Sequence, residues 1–137
     1  MVVTASFLLG TGLAFTLQML SGVVISWLLV GGGVRTDDLY YAMADSALIN
    51  LWAHLLNVVA VLCAGATIAW LRPEAPAPCA LWVGGAMVVF VAAQFAVPYE
   101  NPAPLWSKAL ALLTPIPSAL AGVWFWNRRE AGKQGST

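Results

Sequence analysis

Residues 46–71 have the sequence SALINLWAHLLNVVAVLCAGATIAWL, which contains no Asp, Glu, Lys or Arg. An α-helix rises about 1.5 Å per residue, so a helix over this segment is long enough to cross a hydrocarbon core about 30 Å thick. Its polar side chains are confined to the first half of the segment, apart from one threonine. The segment therefore predicts a transmembrane helix with one partly polar end.

Three further segments have the length and apolar composition of transmembrane helices: residues 5–30, 80–97 and 109–126. The stretches between the four segments carry glycine, proline and charged residues, which favour turns and loops. The sequence thus predicts an all-α fold. We expect a single transmembrane domain over residues 1–137, built as an integral membrane bundle of four transmembrane helices.

Composition supports this fold class. The chain has 137 residues, of which 61% are apolar and 9% charged, and its mean hydropathy is +0.82. Soluble domains are about 45–50% apolar and about 25% charged, so a soluble enzyme is excluded. Basic and acidic residues cancel at six each, so no net positive field attracts nucleic acid. The expected surroundings are the lipid bilayer.

The distribution of Lys and Arg predicts the orientation of the chain. With four spans, both termini and the loop after the second span lie on the same side, which holds four basic residues. The other side holds two, Arg35 and Lys108. Because short cytoplasmic loops are enriched in Lys and Arg, we predict that both termini are cytoplasmic and that the protein is a multi-pass protein of the cell inner (plasma) membrane.

The second span carries a polar face. At about 100° per residue, Ser46, Asn50, His54 and Asn57 fall within an arc of about 80° on one side of the helix. Lipid offers no hydrogen-bond partner to amides or an imidazole. We therefore expect this face to point into protein. We expect His54 to be neutral at pH 7, since no acidic residue lies three or four positions away to hold a charge.

The first span presents a matching face. Gln18 and Ser21 lie together on one side of the predicted helix with several small residues, and small residues allow close helix–helix approach. We expect the polar residues of the spans to gather in the outer half of the bilayer. The predicted cluster consists of Gln18, Ser21, Asn50, His54, Asn57 and Thr114.

The fourth span contains two prolines, Pro115 and Pro117. Each lacks the amide that would bond a carbonyl four residues earlier, which frees the carbonyls of Ala111 and Leu113. We predict a kink or an unwound turn before Pro115, with the hydroxyl of Thr114 as a local partner for the freed carbonyls.

The polar cluster has two interpretations. It is either a set of interhelical hydrogen bonds that fixes the packing of the bundle, or a small cavity open to the outer side. One histidine without Cys, Met or acidic residues at matching spacing is not a metal site, so no metal and no haem are expected. A quinone head could bind His54 together with Asn50 or Asn57. No other cofactor is predicted.

These observations leave three functional hypotheses. The first is a non-catalytic accessory or structural subunit of a larger inner-membrane complex for respiration or electron transfer, contacting other membrane subunits through helix faces rich in Gly and Ala. The second is a small homo-oligomeric transporter or channel that uses the polar cluster as its pathway. The third is a quinol-binding membrane element. The chain shows no nucleophile arrangement or phosphate-binding loop, so we do not expect it to be an enzyme on its own.

Overall fold

The computed structural model describes residues 2–96 and 103–134. This part of the chain is helical and contains no strand, so the all-helical class predicted from the sequence is confirmed. A short 3₁₀ turn, Thr36–Asp38, precedes the second helix. The helices are α1 (Val2–Gly31), α2 (Leu39–Asp45), α3 (Ala47–Leu71), α4 (Pro76–Ala96), α5 (Leu105–Leu113) and α6 (Pro115–Gln134).

Three of these helices, α1, α3 and α4, are long and apolar enough to cross a membrane. Helices α5 and α6 meet at an angle of 41° across a one-residue break, and together they have the length and composition of one bent span. The described chain therefore has three candidate spans, or four if the bent pair counts as one. This is the architecture of a multi-pass membrane protein.

Several helix boundaries differ from those expected. Helix α4 begins at Pro76 rather than near residue 80, because proline is well tolerated in the first turn of a helix. Helix α5 begins at Leu105, directly after Pro104, and thus includes residues that the sequence analysis placed in a loop. Helix α6 continues through the basic segment to Gln134. The consequence for function is that residues 105–108 belong to a helix.

The bundle has two distinct ends. We call the end where α1 stops at Gly31 and α3 starts at Ala47 the polar end, and the opposite end, where α3 stops at Leu71, the packed end. Helix α3 occupies the centre, since it contacts α1, α4, α5 and α6. Any site at the polar end is consequently built around α3.

At the packed end, α3 and α6 approach each other backbone to backbone. A Cβ atom on Gly65 would overlap the carbonyl group of Ala119, and one on Gly122 would lie 2.8 Å from the nitrogen of Ala66. Glycine is thus required on both helices for this approach. The small-residue face of α3 around Gly65 is therefore packed against α6 within this chain.

Helix α4 packs on the same pair of helices. A Cβ atom on Gly84 would lie 2.8 Å from the Cα atom of Ile116 in α6. On the other side of α4, the rings of Phe15 and Phe90 meet edge to face with their centres 4.4 Å apart, which joins α1 to the bundle. The largest fully buried side chains lie between these helices: Ile68, Met87, Val61, Val83 and Pro115.

The break between α5 and α6 lies at Thr114, immediately before Pro115. The Thr114 hydroxyl donates to the carbonyl of Leu110 at 2.8 Å, and its backbone nitrogen donates to the same carbonyl at 3.0 Å. The Thr114 hydroxyl was expected to bind the freed carbonyls of Ala111 and Leu113. It binds the carbonyl of Leu110 instead. A threonine hydroxyl prefers the carbonyl four residues back because helical geometry brings that oxygen within reach.

Candidate functional site: a polar cavity at one end of the bundle

The first turn of α3 positions the polar residues of the site. Ser46 caps the helix, with its hydroxyl oxygen accepting a hydrogen bond from the backbone nitrogen of Ile49 at 3.3 Å. The side-chain nitrogen of Asn50 donates to the carbonyl of Ser46 at 3.0 Å. This bond fixes the Asn50 amide so that its oxygen is directed toward α5.

Ser107 of α5 connects two residues of α3. Its hydroxyl donates to Asn50 Oδ1 at 3.1 Å, and its oxygen lies 2.8 Å from His54 Nε2. A serine hydroxyl has a single proton. Since that proton is directed at Asn50, the His54 Nε2–H group must donate to Ser107, which assigns the proton of a neutral imidazole to Nε2. The network thus ties the broken span to α3.

Ser107 was not predicted as a site residue, because residues 98–108 were expected to form a loop. The signal was present in the sequence: Pro104 precedes an apolar run, and proline is common where helices begin. Only 5% of the Ser107 surface is exposed. The centres of the Trp106 and His54 rings are 6.1 Å apart, and the rings meet edge to face. Helix α5 therefore supplies both a polar and an aromatic neighbour to His54.

A cavity of about 170 Å³ adjoins this network. Its wall comes from α1, α3, α4, the segment before α5, and α5. It is smaller than the pockets of about 300–1,000 Å³ that hold drug-sized ligands, but it can hold several water molecules or one small ring. The polar residues that line it are Gln18, His54, Asn57, Gln94, Ser107 and Lys108.

Two of these residues have buried oxygens without a hydrogen-bond partner among the described residues: Asn57 Oδ1 and Gln18 Oε1. Asn57 as a whole is 7% exposed. A buried acceptor left without a donor costs about 1–3 kcal/mol. The cavity is therefore lined by two residues, Gln18 and Asn57, whose amide oxygens are buried and lack a donor among the described residues.

Two other predicted cluster residues are bonded locally and lie outside the cavity lining. The Ser21 hydroxyl donates to the carbonyl of Gln18 at 2.7 Å within α1, and Thr114 is bonded to Leu110 across the helix break. The structure thus brings Gln18, Asn50, His54 and Asn57 to one region and adds Ser107.

Among residues 2–96 and 103–134, no three His, Cys, Asp or Glu side chains converge in a way that could hold a metal ion. Cys63 and Cys79 are free thiols on neighbouring helices. Comparison of the chain with protein-family models, curated proteins and solved structures finds no match. The polar cavity is therefore the feature of the described residues that bears on function.

Proposed function

We propose that the chain crosses the plasma membrane four times, with α5 and α6 forming one bent span and both termini in the cytoplasm. The packed end then lies at the cytoplasmic side, where Arg72, Arg128, Arg129 and Lys133 are found, and the polar end lies outside. The guanidinium groups of Arg128 and Arg129 lie over tryptophan rings of α6, at 5.0 and 5.7 Å from the ring centres. Exposed Trp70 and Trp82 lie at the same end, as expected for residues at a membrane interface.

Reporter fusions test this topology. Alkaline phosphatase fused after Thr137 should be inactive in a bacterial host, because the enzyme folds only outside the cytoplasm. The same enzyme inserted after Gly33, in the turn that follows α1, should be active. The reverse pattern would contradict the proposed orientation, and activity at both positions would contradict an even number of spans.

We propose that the protein is a non-catalytic membrane subunit that holds the hydroxyl-bearing head of a quinol in the polar cavity. The observation that carries this proposal is that Asn57 and Gln18 line one cavity and that each has a buried amide oxygen without a partner among the described residues. Acceptor oxygens need donors, and a quinol has two hydroxyl groups and a ring small enough for such a space. The site lies in the membrane, where a lipid-soluble molecule is concentrated.

A polar network beside the cavity supports a positioning role for His54. Its Nε2–H group is engaged with Ser107, so the imidazole is held in a fixed orientation. We expect His54 and Ser107 to shape the cavity and Asn57 and Gln18 to bind the ligand. The electron acceptor would belong to other subunits of a respiratory or electron-transfer complex, to which this chain contributes the binding site.

Transport is the competing hypothesis, and the packed end argues against it for a single chain. The contacts of Gly65 with Ala119 and of Gly122 with Leu62 and Ala66 leave no space for even one methyl group between α3 and α6. A pathway from the cavity to the packed end between these helices would require their separation. A cavity with no such pathway between α3 and α6 fits binding better than conduction.

Ligand binding can be measured on the purified full-length chain with a water-soluble, tail-less quinol as the probe, followed by tryptophan fluorescence. We expect Asn57→Leu and Gln18→Leu each to weaken binding about tenfold, the effect of one lost hydrogen bond to a buried group. Thr67→Val is the matched control, because the Thr67 hydroxyl bonds only the carbonyl of Cys63 in the same helix among described partners. Absence of binding to the unmodified protein would overturn the proposal.

The accessory role has a separate test. After mild extraction from its native membrane, the tagged chain should migrate on a native gel with larger chains that carry redox centres. Migration as several copies of this chain alone would favour the homo-oligomeric transporter instead.

A further inference from the structure

A second, larger cleft lies next to the polar cavity. It is a groove of about 620 Å³ between α1 and α4, open along the outer surface of the bundle. Apart from Gln18, Ser26 and Gln94, its lining is formed by apolar residues and glycine, among them Met19, Gly22, Val23 and Phe90. Such a surface suits an apolar chain better than a head group.

Gln18 and Gln94 belong to the linings of both spaces. The groove and the cavity therefore meet at these two side chains, one from α1 and one from α4. Gln94 is exposed, whereas Gln18 is half-buried with an unpartnered oxygen. The polarity thus changes at this point from apolar groove to polar cavity, which is the order of tail and head in an amphiphile.

From this continuity we infer that the ligand enters the cavity sideways from the bilayer, between α1 and α4, and leaves its isoprenoid-like tail in the groove. This inference rests on the proposed binding of a quinol head and adds the route and the tail site. We assign the groove to the tail of that same molecule. When the head lies in the cavity, a tail attached to it would extend between Gln18 and Gln94 into the groove.

The packing of α1 is compatible with such a route. Helix α1 is the least buried of the three long apolar helices, and among the described residues its main contacts are with α3 and α4. Movement of α1 relative to α4 would therefore leave the glycine contacts between α3 and α6 intact. A second groove, of about 290 Å³ between α1 and α3, shares no lining residue with the cavity and offers no comparable connection.

Gly22 provides a direct test, because it lines the groove and a Cβ atom built on it meets nothing within 4 Å. Gly22→Leu should therefore fold while filling part of the groove. Gly12→Leu is the matched control: Gly12 is exposed on the same helix, also has open space around its Cβ position, and lines neither cleft. The probes are two quinols with the same head, one without a tail and one with a decyl tail.

We expect Gly22→Leu to weaken binding of the decyl quinol about tenfold, the lower end of the effect that one misfitting methylene group has in an apolar pocket. Gly22→Leu should leave the affinity for the tail-less quinol within about twofold of that of the unmodified protein. Gly12→Leu should leave the affinities for both quinols within the same range, as expected for independent sites. Unchanged decyl-quinol binding in Gly22→Leu would overturn the route. Equal loss for both probes would overturn it too, because the effect would then be on the cavity.

The outcomes separate the two proposals. If the tail-less quinol fails to bind the unmodified protein, the proposed function fails, whatever the groove does. If it binds but the decyl tail is insensitive to Gly22→Leu, the proposed function stands and the route fails. Displacement of the decyl quinol, but not of the tail-less quinol, by a short-chain phospholipid would show that the groove holds membrane lipid, and would overturn the assigned occupant.

Discussion

The helices of this bundle are held together by different kinds of contact at the two ends. At the packed end, Gly65 and Gly122 let the backbones of α3 and α6 touch, and contact depends on the absence of side chains. At the polar end, α3 and α5 are joined by side chains, through Asn50, Ser107 and His54. Close backbone contact leaves no room for a ligand, whereas side-chain contacts leave a cavity.

This difference has an energetic basis. Apolar helices in lipid gain little from the hydrophobic effect, so they associate through van der Waals contact and interhelical hydrogen bonds. The packed end uses the first and the polar end the second. Hydrogen bonds are directional and satisfy particular atoms only, and at this end Asn57 Oδ1 has no partner among the described residues. A cavity lined by polar side chains is the result.

The largest effect should come from filling the glycine contact. We expect Gly122→Ala to lower the free energy of unfolding by about 2–3 kcal/mol, because the added methyl group meets the backbone of Leu62 and Ala66 rather than a movable side chain. Unfolding by increasing denaturant in detergent measures the loss. Gly85→Ala is the control, since a Cβ atom there meets nothing within 4 Å. Equal stability of both variants would contradict the close contact.

A smaller effect is expected at His54. His54→Leu should cost about 1–3 kcal/mol, since it removes the group that donates a hydrogen bond to the buried oxygen of Ser107. His54→Gln should be mild, because an amide can replace the donor. Thermal unfolding of both variants, with the tail-less quinol assay alongside, distinguishes the roles. Loss of ligand binding by both variants with unchanged stability would make His54 a ligand contact rather than a positioning residue.

The coupling between the two helices should be weaker still. A double-mutant cycle with His54→Leu and Ser107→Ala should give an interaction energy of about 0.6 kcal/mol, the average for hydrogen bonds measured between membrane helices. The unfolding free energies of the two single variants and the double variant provide the measurement. Additive effects would show that the bond at 2.8 Å contributes nothing to the joining of α3 and α5.

The smallest effect is expected at the packed end, from a hydroxyl that does not cross between helices. Thr67→Val should change the free energy of unfolding by less than about 0.5 kcal/mol, because the hydroxyl bonds the carbonyl of Cys63, which already takes part in its own helix. A large loss in the same denaturation assay would mean that polar contacts also hold the packed end together, and would weaken the contrast between the two ends.

Much of the fold was predictable because membrane helices are encoded locally. The apolar runs around residues 5–30, 46–71 and 80–97 correspond closely to α1, α3 and α4, and a helix break lies directly before Pro115, where a missing amide indicates one. The start of α5 was not predictable from apolar length alone. Residues 105–108 include the polar residues Ser107 and Lys108, so hydropathy alone predicts that the helix begins later than it does.

The sequence by itself determined that this chain is an apolar, multi-helix protein with a polar face on α3, since composition and 3.6-residue periodicity depend only on residue order. Tertiary structure decided which polar groups meet. Ser107 reaches His54 and Asn50 across more than fifty residues, whereas Ser21 and Thr114 bond within their own segments. The reason is that the bend before Pro115 and the glycine contacts of α6 determine where α5 lies. Neither the 41° angle of the bend nor the close approach of two backbones can be predicted from the local sequence pattern.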